Sequence, residues 1–168
     1  MVDDDPFQTL SPLIASELAT VSDSRVIAHV RNMLIEPHVL LRTWNYGPNT
    51  QYPCWFVLKD EQSGAEIAYC EDGFGPRCPW GLISSGVYDG MGMDSGWYQT
   101  FMDAFFDSFA CCALPIWRIV KVGPDGSSTA VTDEGGWDQT WSSAYALRES
   151  DPTMRYDVRH GISYGPRT

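Results

Sequence analysis

A chain of 168 residues with 43% hydrophobic and 13% aromatic content has the material for a buried core and is not a disordered acidic segment. Its 22 Asp and Glu against 11 Lys and Arg leave a formal net charge of -11, which repels anionic membranes and nucleic-acid backbones. Membrane attachment and direct DNA or RNA binding are therefore not expected, and a basic partner is.

Residues 6–20 and 23–35 read as two helices. Phe7, Leu10, Leu13, Ile14 and Leu18 form a stripe on the first. Ser22 and Asp23 are good caps for the second, which carries Val26, Ile27, Val30, Met33 and Leu34 on one side and is expected to stop at Pro37. The period then changes. Val39–Tyr46 is rich in strand formers, and Cys54–Leu58 is a short apolar run suited to a buried strand. Ala65–Glu71 follows across a turn at 60–64, so the pair reads as an antiparallel hairpin.

From Gly73 to Gly96 seven glycines and two prolines predict irregular chain, with a brief strand over Trp80–Ser84. Trp97–Cys112 reads as the clearest helix, with Phe101, Phe105, Phe109 and Cys112 toward the core. Asp103 and Asp107 lie one turn apart on another side. Ile116–Val122 is a strong strand, 123–126 a turn and 129–132 a short partner strand. Trp137, Trp141 and Tyr145, at four-residue spacing, predict a helix packed by aromatics. After Pro152 the chain turns polar, and part of it is expected to be loosely ordered.

This order predicts an α+β fold, an antiparallel sheet with helices packed mainly on one face. Residues 1–168 read as a single domain. Its N-terminal helices span about 6–35, a sheet-and-helix core about 38–122, and an aromatic, loosely ordered tail about 123–168.

The chemistry-bearing residues form no recognised motif. Cys54, Cys70, Cys78, Cys111 and Cys112 are odd in number and follow an N-terminus that opens on Asp3, Asp4 and Asp5 rather than a basic leader. Free thiols and a cytoplasmic location are therefore expected. Cys70 and Cys78 have no second pair at zinc spacing, Gly73-Phe74-Gly75 lacks the rest of a dinucleotide fingerprint, and Asp89–Asp94 does not make a calcium loop. No metal, no cofactor and no enzymatic activity are expected. Cys54 with His38, or a carboxylate pair such as Glu71-Asp72 or Asp103 with Asp107, marks the rival reading of a small hydrolase. A non-enzymatic adaptor is a third.

The run Pro53-Cys54-Trp55-Phe56-Val57, a hairpin, Ile67-Ala68-Tyr69-Cys70, a Gly-rich loop, a helix over Ala104–Ala110 and then Leu114-Pro115-Ile116-Trp117 resembles, in layout, small immunity proteins. These protect bacteria from polymorphic toxins, including toxins that deaminate nucleic acids. The resemblance covers under half of the chain. It implies a cognate basic toxin domain, a nuclease or deaminase, whose active-site cleft this protein would fill. The acids proposed to meet it are Glu71, Asp72, Asp89, Asp94, Asp103 and Asp107. The proposed aromatic anchors are Trp80, Tyr88, Trp97 and Tyr98.

Overall fold

The computed structural model describes residues 6–166. Its contacts fall into two compact units, one of Met1–Cys111 with Tyr164–Thr168 and one of Cys112–Ser163. The fold is α+β, as the sequence pattern implies.

In the larger unit, α1 (Pro6–Leu18) and α2 (Ser24–Met33) precede β1 (Leu34–Trp44), β2 (Gln51–Lys59) and β3 (Glu66–Tyr69). Asp23 caps α2 by accepting the Arg25 amide at 2.8 Å, and Val26, Val30 and Met33 recur on its buried side. Pro37 does not stop this helix. The backbone turns extended already at Leu34, and Pro37 lies inside β1. There the register slips between Leu34 and His38, an irregularity that accommodates a residue without an amide donor.

Three two-residue strands complete the sheet, β4 (Trp80–Gly81), β5 (Gly90–Met91) and β6 (Trp97–Tyr98), in the order β5-β1-β2-β3-β4-β6. Every pairing is antiparallel except β1 with β5. The order forces curvature. β5 and β6 stand at opposite ends of the sheet, yet Met91 and Trp97 are close in the chain, within a reach of ~20 Å. Five flat strand spacings need about 24 Å. The sheet therefore curls, and Trp44 of β1 meets Trp97 of β6 edge-on, with ring centroids 6.3 Å apart.

The concave face holds Cys54, Phe56, Ala68, Cys70, Ile83 and Met91, with Leu40, Trp44 and Trp97 packed on them. The Gly-rich stretch links β4 to β5 at the far end of the sheet and then leads back to β6, and it contributes Ile83 and Met91 to this core. Gly81 is needed for close approach, because a Cβ there would lie 2.8 Å from the Trp97 indole that covers it.

The helices pack on the other face. Phe101 of α3 (Phe101–Asp107) meets Trp80 edge-on at 5.3 Å, and His29 of α2 meets Phe105 at 6.3 Å. Glu17 of α1 accepts the amides of Phe101 and Met102 at 3.2 and 3.0 Å, satisfying donors that the start of α3 leaves open. Burial pushes the Glu17 carboxyl up, and those two bonds only partly offset it.

The single helix expected over Trp97–Cys112 is instead three elements: β6, α3 and a 3₁₀ turn at Phe109–Ala113. Thr100 caps α3 by accepting the Asp103 amide at 3.1 Å, so the helix cannot begin at Trp97. It ends at Asp107, where Ser108 turns extended. Phe101 and Phe105 are buried as expected, but Phe109 falls off the helical stripe and is 71% exposed. Tyr164 returns to this unit, stacked on Phe106 at 4.9 Å, and the Gly165 amide donates to Thr20 Oγ1 at 2.9 Å.

The smaller unit is a three-stranded antiparallel sheet, β8-β7-β9, with α4 (Trp137–Ser150) packed on it. β7 is Trp117–Val122, β8 is Ser128–Ala130 and β9 is Arg155–His160. The core joins Ile119, Ala144 and Tyr156 to Trp141, Leu147, Met154 and Val158. The aromatic helix forms as expected, with Trp117, Trp137, Trp141 and Tyr145 in successive ring contacts. Arg148 extends the series over Trp141 and Tyr145 and donates to the Tyr156 carbonyl.

The polar stretch after Pro152, expected to be partly loose, contains β9, which pairs with all of β7. Its charges explain why it reads as tail. Asp157 meets Arg155 at 3.0 Å, Arg159 at 3.1 Å and Arg148 at 3.6 Å, so ion pairs stand where apolar residues mark most strands. Burial raises the Asp157 carboxyl, but hydrogen bonds from Arg155 and Arg159 outweigh it and hold the group below its ordinary value. A carboxylate lowered on folding adds stability above its unfolded pKa and loses it as pH falls through the folded value. Asp157→Asn should therefore lower the thermal midpoint at neutral pH. The gap to wild type should close on acidification below about pH 4, where the unfolded carboxyl protonates. Equal gaps at pH 3 and pH 7 would show that the charge of Asp157 contributes nothing.

Candidate partner-binding surface

The negative charge is concentrated. From Asp60 to Asp107 nine carboxylates are countered by Arg77 alone. That stretch holds β3, the Gly-rich segment and α3, so its acids are spread over several elements.

Glu71 and Asp72 are exposed just beyond β3. Glu71 Oε1 accepts the Tyr69 hydroxyl at 2.5 Å, and burial together with this carboxylate pushes the Tyr69 phenol up to about 12. Asp94 is exposed in a 3₁₀ turn, where it and Tyr46 meet over Gly92. A Cβ on that glycine would come within 2.8 Å of the carboxylate and 3.0 Å of the ring. Tyr88 is 74% exposed, its ring lying over Gly90. These four are open to a partner.

The other six proposed residues also make contacts within the fold, Asp107 while remaining exposed. Asp89 ties the loop to β1, its carboxylate accepting Thr43 Oγ1 at 2.8 Å and its carbonyl the Thr43 amide. Trp97 donates Nε1 to the Gly92 carbonyl at 2.7 Å and stacks on Phe74 at 6.0 Å. Asp103 accepts the Tyr164 hydroxyl at 2.9 Å, and Asp107 accepts that of Tyr98. Burial and the Asp107 carboxylate push the Tyr98 phenol up to about 12. Trp80 is no surface anchor. It is 1% exposed, enclosed by Tyr69 and Phe101 at 5.0 and 5.3 Å. Trp97 covers the concave face, whereas Tyr98, Asp103 and Asp107 lie on the helix-bearing side, so the ten residues do not form one patch.

Sequence reasoning missed exposed apolar residues beside these acids, namely Tyr46, Phe74, Val87 and Met93. It also missed Val39 and Leu41 on β1, whose period resembles that of a buried strand. Cross-strand register is what places them. Val39 pairs with Trp55, Trp55 with Tyr69, Tyr69 with Trp80, and Trp80 with Tyr98, an almost wholly aromatic row across five strands.

Arg42 is the counterpoint to this acidic surface. It is buried, its guanidinium lies over the Phe56 ring at 5.5 Å, and its Nε has no hydrogen-bond partner among the described residues.

The geometry weighs against a Cys54 nucleophile. The thiol is buried, with the Tyr52 carbonyl and the Met91 sulfur as its partners at 3.6 Å. Interaction with Cys70 and burial push its pKa upward, the reverse of what an attacking thiolate requires. His38 instead stacks on Phe56 at 5.7 Å, and His29 meets the Ala110 carbonyl at 2.8 Å. Cys54, Cys70 and Cys78 are free thiols. Among the described residues no three His, Cys, Asp or Glu side chains gather as a metal site, and no helix is long and apolar enough to cross a membrane. Compared with known proteins, the chain matches no family model, no curated protein and no solved structure.

Proposed function

We propose that this chain is an immunity protein, an inhibitor that binds a cognate basic bacterial toxin and fills its active-site cleft. The toxin is of the class that acts on nucleic acid, a nuclease or deaminase. The observation that carries this reading is the concentration of nine carboxylates against one arginine between Asp60 and Asp107, with exposed Phe74 and Tyr88 among them and exposed Tyr46 beside Asp94. A cleft that binds a polyanion is basic. An acidic surface competes with the substrate for it and speeds encounter, while aromatic side chains supply contact area. The resemblance in layout to immunity proteins supports the same reading.

The test is co-expression with a nuclease or deaminase toxin domain, sought among the genes that neighbour the one for this chain. The protein should restore growth of cells that express the toxin and should co-purify with it at about 1:1. A chain that neither protects nor co-purifies is not an immunity protein for that toxin.

A further inference from the structure

We propose that the uncovered part of the helix-bearing sheet face docks the basic partner. This face comprises Val39 and Leu41 of β1, Pro53 and Trp55 of β2, and Tyr69 of β3. The inference rests on the reading above and adds the surface through which binding occurs.

Register makes these five side chains one patch. Val39 lies directly opposite Trp55 and Leu41 opposite Pro53, and Trp55 is opposite Tyr69. Residues so paired stand about 5 Å apart, and alternate residues of one strand share a face. Phe101 of α3 covers the Trp80 end of the row. Val39 and Leu41 are 45% and 55% exposed, Pro53 is exposed, and Trp55 and Tyr69 are half-buried. A contiguous apolar patch of this kind differs from the single exposed apolar residues that every surface carries.

The borders of the patch select its occupant. At one side Glu71 takes the Tyr69 hydroxyl. At the other Thr43, next after Leu41 on the same face, donates to the Asp89 carboxylate. An apolar centre between two carboxylates has the anatomy of a protein interface, an anchor ringed by polar groups, and its charge fits Arg or Lys on the partner. A second copy of this chain fits poorly, since it would set carboxylates against carboxylates at a net charge of -11 per copy.

The experiment measures binding of the catalytically disabled neighbouring toxin domain to wild type, Leu41→Arg and the milder Leu41→Gln. Leu41 is exposed, so both variants should keep the wild-type thermal midpoint. Leu41→Arg should weaken binding about 30-fold or more, with Leu41→Gln between it and wild type. If wild type binds and Leu41→Arg binds equally well, the face is wrong and the immunity reading stands. If wild type does not bind, both fall. If wild type sediments as a dimer that Leu41→Arg splits, the occupant is a second copy and the proposal is overturned.

Discussion

Trp80→Ala should lower the unfolding free energy by about 3–5 kcal/mol, the range for deleting a large ring from a filled core. β4 is only two residues long, yet Trp80 pairs with Tyr69 on one side and Tyr98 on the other. Its indole is sealed by Tyr69 and by Phe101 of α3. The space left by alanine cannot close easily, because the chain is fixed on both sides by strands and from above by a helix. Urea unfolding followed by circular dichroism measures the loss, and an unchanged slope would assign it to stability alone. A loss under about 1 kcal/mol would show that the site collapses and that this indole does not hold β4, β6 and α3 together.

Reversing Asp72 and Asp94 together should slow association with a basic partner by about tenfold or more at low salt and flatten its salt dependence. Both residues are exposed, and neither carboxylate holds a hydrogen bond among the described residues, so Asp72→Lys with Asp94→Lys should leave folding intact. Dissociation should change much less than association. This makes them better probes than Asp103 and Asp107, whose reversal would also break bonds to Tyr164 and Tyr98. Stopped-flow association against ionic strength separates the cases. An unchanged rate at low salt would mean that these acids serve solubility alone.

Local signals explain which elements are legible in the sequence. α2 announces itself through Asp23 and the Val26, Val30, Met33 spacing, and β2 and β3 through an apolar run on either side of a turn. α4 shows in its aromatic spacing. β4, β5 and β6 are hidden because two residues carry no period, and their partners lie far along the chain or across a glycine-rich stretch. The phenylalanine spacing from 101 to 109 suggests one helix, but the Thr100 cap and the extended Ser108 cut it short. β9 is hidden because Arg155, Asp157 and Arg159 stabilise it through charge. The candidate surface was only partly visible for a related reason. Acids and aromatics can be counted in sequence, but whether Trp80 lies inside and Leu41 outside depends on strand register and on where the helices stop.

The return of Tyr164 has a consequence for the order in which the protein is made. Its hydroxyl bonds to Asp103 and its ring stacks on Phe106, both on α3. Synthesis runs from the N-terminus, so the whole of Cys112–Ser163 leaves the ribosome before Tyr164 does. The first unit to begin folding is thus the last to be finished. During that interval one side of α3 waits without its aromatic cover, and the smaller unit is made inside that waiting period.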